Sequence, residues 1–213
     1  DSVISVIYNP DLLARLGVPG PNAEGYLFPD TYRFAPGVSV GSVLEAMANR
    51  YRSTWSEARR AQLQELNMTE KELVTLASII QAEARHINEM PRISSVYHNR
   101  LREGWLLQAD PTVLYALGGP RYPLLYAAID SVTDHPYNTY SQPGLPPGPI
   151  CAPGDAALAA ALNPAQEDFM YFVARPDGRH VFTRPLAEHN RAKLEAQQER
   201  DRIGSGKHPK PTP

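Results

Sequence analysis

A single cysteine, Cys151, stands among 213 residues, so no disulfide can form within the chain and the redox compartment stays open. No apolar run approaches the roughly 20 residues that span a bilayer, and no signal peptide is present. Charge of one sign is also missing. The 21 basic and 23 acidic side chains leave a net charge of −2 without a basic run, which argues against a nucleic-acid partner. The chain lacks a G-x-S-x-G nucleophile elbow, an H-E-x-x-H or Cys/His pair at zinc spacing, and a glycine-rich phosphate loop. Gly144 and Gly148 punctuate prolines and open no helix. His86 and Glu89 come nearest to a ligand pair, but such a pair near a helix end more often marks a favourable cation there. No metal and no cofactor is expected.

What is present describes a globular chain: 42% hydrophobic and 21% charged residues suffice for a core that needs no staples. Proline is the outlier, since 21 residues of 213 are about twice the usual share of roughly 5%. Weak alternation over 3–8 suggests a strand, and a short helical turn follows at 11–16. Segment 24–32 is aromatic and β-forming but broken by Pro29, so it reads as an edge strand or an extended wall. Val43, Leu44, Met47, Tyr51, Trp55, Ala58 and Leu63 predict one long helix over 40–66. Thr69 and Glu72 form a capping box opening the next. Pro91 starts a third that Gly104 stops, and Asp110-Pro111 reads as N-cap and first-turn proline of a short fourth.

Residues 133–154 form an irregular, proline-rich loop whose tyrosines argue against disorder and for function. An Ala-rich helix over 155–162, a hairpin turning at Asp177-Gly178 and a last helix from Pro185 to about residue 201 complete the pattern. The fold class expected is α+β: one helix-rich domain with a small antiparallel β component, including the late hairpin. Its bounds are 24–202, with 1–23 as a lead-in and 203–213 as a disordered tail.

Glu83 draws attention because it falls beside Leu76, Ile79 and Ile80 on the flank of an apolar helical stripe, with Gln81 on the other flank. Burial there disfavours the ionised form, as a general acid near neutral pH requires. The alternative is a structural carboxylate paired with an arginine at the core's edge. Glu24 and Asp110 are further carboxylates in segments of functional character, though an N-cap role would explain Asp110. Tyr137, Asn138, Thr139 and Tyr140 cluster hydroxyls and an amide, a composition suited to a neutral, extended ligand such as a glycan, or else to a packed structural loop.

In register along the chain, 24–32 (EGYLFPDTY), 76–84 (LASIIQAEA), 96–101 (VYHNRL), 107–113 (LQADPTV) and 137–140 (YNTY) resemble the YceG-like family of endolytic murein transglycosylases. So do 144–150 (GLPPGPI), 163–165 (NPA), 171–174 (YFVA) and 186–190 (LAEHN). The resemblance implies a lyase that cuts peptidoglycan glycan strands between N-acetylmuramic acid and N-acetylglucosamine, leaves 1,6-anhydro ends and so limits nascent strand length. The alternative is a non-catalytic peptidoglycan-binding scaffold of the wall-synthesis machinery. The family's catalytic glutamate maps to Glu83; many relatives carry an additional glutamate where this chain has Gln81. Ala109 replaces a usual Thr or Ser, so a hydroxyl contact to substrate is expected to be lost there. By motif position, Gln108, Asp110, Tyr137, Asn138, Thr139, Tyr140 and Glu24 are expected to bind substrate. The family further implies glycan strands as partner, penicillin-binding proteins as neighbours, and a site on the outer side of the inner membrane. It also implies a membrane helix and a LysM-like segment ahead of residue 24; the start at Asp1 reads as a cut from something longer.

Overall fold

The computed structural model describes residues 8–18, 22–119 and 124–205. Its centre is α4 (Glu70–Glu83), which begins at the anticipated capping box: Thr69 Oγ1 accepts from Glu72 N at 3.2 Å and Glu72 Oε2 accepts from Thr69 N at 2.7 Å. Residues Leu73 to Ile80 are buried without interruption. The helix therefore runs through the core and has no single apolar stripe, so Glu83 marks the point where a buried helix ends.

Three described helices precede it. α1 (Pro10–Leu16) is capped by Asn9, whose side chain accepts from Asp11 N and Leu12 N, and ends at Gly17. The single helix expected over 40–66 is divided into α2 (Val40–Ser53) and α3 (Glu57–Glu65). Thr54 Oγ1 donates to the carbonyl of Tyr51, Ser56 caps a fresh helix through Arg59 N, and Trp55 is buried between them. Apolar periodicity carried across the break hid it from the sequence. Segment 24–32 forms no strand; a turn at 23–26 leads to extended backbone with Tyr26 and Phe28 buried and no strand beside it. Gly25 makes this possible, because its φ is +84° and a Cβ there would stand 2.5 Å from the Pro149 ring.

After it come α5 (Met90–Arg102), α6 (Asp110–Ala116), α7 (Tyr126–Asp130) and α8 (Asp155–Leu162). A 3₁₀ turn, Ile87–Glu89, joins α4 to α5. Alanines on α8 let it sit closely against α4 and α5. The proline-rich loop is tied to α4 at three points: Ile150 N donates to Ser78 Oγ, the Cys151 thiol to Ser78 O, and Gly154 N to Gln81 Oε1. Gln81 thus holds the start of α8. Asp110 is the first residue of α6 and Ala109 is its N-cap, without a side-chain cap bond, so the capping role foreseen for Asp110 does not arise.

The hairpin is present as β1 (Tyr171–Ala174) against β2 (His180–Thr183), antiparallel, with Phe172 opposite Phe182. Its turn differs from a two-residue connection. Pro176 fixes a φ near −65° and Gly178 N donates to Arg175 O, so the turn centres on Pro176 and Asp177, one residue earlier than expected, and Gly178, at φ +81°, follows it. The last helix, α9 (Leu186–Ser205), includes residues 203–205, so the disordered tail expected from residue 203 does not begin there. The strand expected over 3–8 lies, apart from Tyr8, outside the described residues, as do 206–213. The architecture is α+β and helix-rich, and the hairpin is the only sheet among the described residues. No described helix is long and apolar enough to cross a membrane.

Candidate active site

Glu83 opens into a cleft of about 600 Å³ lined by α4, α5, α6, α7, the hairpin and the start of α9. The Tyr97 hydroxyl donates to Glu83 Oε1 at 2.9 Å. Tyr97 is itself buried, its ring edge-on to Phe172 at 5.8 Å. One carboxyl oxygen is therefore held, and Oε2 has no hydrogen-bond partner of its own among the described residues. Burial pushes the Glu83 carboxyl up to about 7, the Tyr97 hydrogen bond and Arg100 oppose the rise, and Asp110 adds to it. A carboxyl at the last residue of a helix also sits at the negative end of the helix dipole, which favours the neutral form. The group can give up a proton near neutral pH and take one back.

This geometry fixes the sign of one pH effect. Tyr97→Phe removes a bond that stabilises the carboxylate, so the Glu83 pKa rises further. The alkaline limb of kcat/KM, which reports loss of the protonated acid, is expected to move to higher pH, with a lower plateau because Oε1 is no longer held. A pH–rate profile of the variant checks this; a limb at the wild-type position contradicts it.

Among the residues expected to bind substrate, Gln108, Asp110 and Tyr140 line this cleft with Glu83. Tyr140 donates its hydroxyl to Asp110 Oδ1. Gln108 is exposed and has φ +49°, a left-handed conformation unusual for a side chain with a Cβ. Its N–H donates to Thr139 O, which holds the strained residue in place.

Asn138 and Thr139 are buried behind that wall and face the protein. Asn138 Nδ2 donates to the carbonyls of Ile129 and Val132, and its Oδ1 accepts from Tyr140 N. Thr139 Oγ1 accepts from Ala109 N at 2.9 Å and lies 2.9 Å from Thr112 Oγ1. Both residues staple the loops that carry Gln108, Asp110 and Tyr140. Ala109 is fully buried, so position 109 faces the core and the substrate hydroxyl contact expected to be lost there has no geometric basis in this chain. Thr139→Val, which orphans a buried amide N–H, is expected to cost about 1–3 kcal/mol, read as a lower urea midpoint with an unchanged slope.

Glu24 and Tyr137 lie elsewhere, outside the lining of the cleft. The Tyr137 ring packs on Tyr115 at 4.8 Å, and Glu24, its carboxyl raised by burial, adds its charge to the surroundings of both tyrosines.

The remaining lining comes from residues that sequence reasoning did not assign to a site. Arg100 is buried; its Nε donates to Met170 O at 2.8 Å, its Nη1 to Leu107 O at 2.5 Å, and its guanidinium faces the Tyr171 ring at 5.6 Å. His180 has its Nδ1 2.9 Å from Glu89 Oε2, while Glu89 Oε1 accepts from His180 N. His189 stacks on Tyr171 at 4.9 Å. Tyr126, 76% exposed, forms part of the rim. Several of these residues stand inside the motifs quoted above, and that was their only signal.

The chain matches the model of the YceG-like family over residues 5–195. It is 39% identical over 194 residues to an endolytic murein transglycosylase of Bacillus subtilis, covering 91% of this chain and 51% of that protein. A Streptococcus pneumoniae protein of the same name is 32% identical over 190 residues, covering 85% of this chain and 34% of its own length. The chain thus spans about half, or less, of the curated relatives it matches. The crystal structure of a yceG-like protein from Listeria monocytogenes superposes with a TM-score of 0.80 at 34% identity, covering 89% of this chain and 66% of that one. The motifs, the helical core with its late hairpin and these matches agree: the chain belongs to the YceG-like family.

Proposed function

We propose that this chain is the catalytic domain of a peptidoglycan lytic transglycosylase and that Glu83 is its acid and base. The observation that carries the reading is the placing of Glu83 at the end of α4, where it lines the cleft with Oε1 held by Tyr97; burial, which pushes its carboxyl up to about 7, supports it. Neutral Glu83 protonates the oxygen linking N-acetylmuramic acid to N-acetylglucosamine, and the C1–O bond breaks. The resulting carboxylate takes the proton from the muramyl 6-hydroxyl as that oxygen bonds to C1 of the same sugar. The nucleophile is already part of the substrate, so its attack gains from proximity and no water is consumed. Gln108 and Tyr140 stand in the same cleft to position the sugar. The similarity to endolytic murein transglycosylases supports the substrate class. The family resemblance supports action on nascent strands outside the cell membrane, beside penicillin-binding proteins.

Asp110 favours one competing reading, because a second carboxylate in the cleft would suit a hydrolase that activates water. Digesting purified glycan strands and weighing the new ends separates the two. Anhydro ends are lighter than hydrolysed ends by one water, about 18 Da, because the proton Glu83 removes comes from the sugar's own hydroxyl. Ends of the heavier mass would overturn the transglycosylase reading, and absence of products would indicate a binding scaffold.

A further inference from the structure

The face of α9 that meets the cleft carries Leu186, His189, Asn190 and Lys193, the spacing of one helical stripe. Lys193 is exposed and makes no ion pair among the described residues. Its own helix cannot supply one, since the residues three and four positions away are Asn190, His189, Ala196 and Gln197. The cleft's other fixed cation, Arg100, is buried, and two of its N–H groups are committed to backbone carbonyls, so it is the less accessible of the two. His189 does not add to the charge: burial holds its pKa below the usual imidazole range, and the positive charges of Lys193 and Arg100 lower it further. The cleft therefore combines the acids Glu83 and Asp110 with one cation whose ammonium is open to a ligand.

We propose that Lys193 binds a carboxylate borne on the lactyl arm of the muramyl sugar, so that the domain selects anionic strands. This deepens the function proposed above and depends on it for the identity of the glycan. Two sources share the chemistry: carboxylates of a stem peptide, and the lactyl carboxylate itself once that peptide has been removed. Asn190 and His189 line the cleft from the same helical face, and their polar groups fit an amide-rich arm.

The test measures binding, in a Glu83→Gln background, of fluorescein-labelled strands that are peptide-bearing, carbodiimide-amidated to remove their carboxylates, or amidase-stripped to leave only the lactyl carboxylate. Lys193→Ala is expected to weaken binding of peptide-bearing strands about fivefold at low salt, the size of a solvent-exposed ion pair. High salt should shrink the difference, and Lys193→Arg should restore most of the affinity. Amidated strands should bind both proteins alike. Stripped strands locate the source: a retained Lys193 effect assigns the lactyl carboxylate, and a lost one assigns the stem peptide. An equal loss on amidated strands, or no loss on any strand, would overturn the proposal. If wild-type protein cleaves no strand while the Lys193 effect persists, the catalytic reading fails and the carboxylate site stands.

Discussion

Glu83→Gln is expected to lose at least about a thousandfold in glycan cleavage, because in the proposed mechanism one group supplies both proton transfers. The amide keeps the shape of the side chain and still accepts from Tyr97, so folding should be intact. Stability should in fact rise in one pH window. A buried carboxyl whose pKa rises from 4.5 to about 7 on folding destabilises the native state as pH climbs through that interval. The glutamine variant is free of that cost. Its advantage over wild type should be absent at pH 4 and on the order of 1–3 kcal/mol at pH 8. Paired thermal melts at the two pH values check the sign. Retained cleavage would remove Glu83 from the mechanism, and an advantage larger at pH 4 than at pH 8 would contradict its burial.

Arg100→Lys is expected to have the second-largest effect although it preserves charge. The guanidinium bridges Leu107 O, just before Gln108 and Asp110, and Met170 O, just before β1, so it fixes two walls of the cleft relative to each other. An ammonium is a point donor that cannot span both carbonyls. A buried carbonyl left without its donor costs about 1–3 kcal/mol. Activity should fall about a hundredfold, since displacement of catalytic groups by an ångström suffices for such a loss. A drop in kcat with a lower melting temperature is the expected pair of results; unchanged kcat would show that the bridge does not set the geometry.

The local part of this architecture was legible in the sequence because its causes are local. The Thr69–Glu72 box, Pro91 near the start of α5 and the hairpin residues 171–183 each specify structure within a few neighbours. Glu83 was legible as an acid candidate from its position beside apolar residues, yet the hydroxyl that holds it belongs to Tyr97 on another helix. Periodicity gives the face of a helix and says nothing about what meets that face. The same limit hid the wall formed by Arg100, Tyr171 and α9, which exists only after hairpin and helix pack together. Asn138 and Thr139 show a second limit. An amide and a hydroxyl in a loop look alike from sequence whether they recognise a ligand or staple the backbone, and here their hydrogen bonds go to the backbone and to Thr112. Gln108 and Asp110, one residue to either side of buried Ala109, turn outward into the cleft instead.

The central claim is that the fold keeps Glu83 protonated near neutral pH, ready to act as an acid. Titration of its side-chain carboxyl by carbon-13 NMR, assigned through Glu83→Gln, tests that claim without assuming any substrate. The account predicts a midpoint near 7 that moves upward in Tyr97→Phe. A midpoint near the ordinary glutamate value of 4.5, unmoved by loss of the Tyr97 hydroxyl, would contradict it.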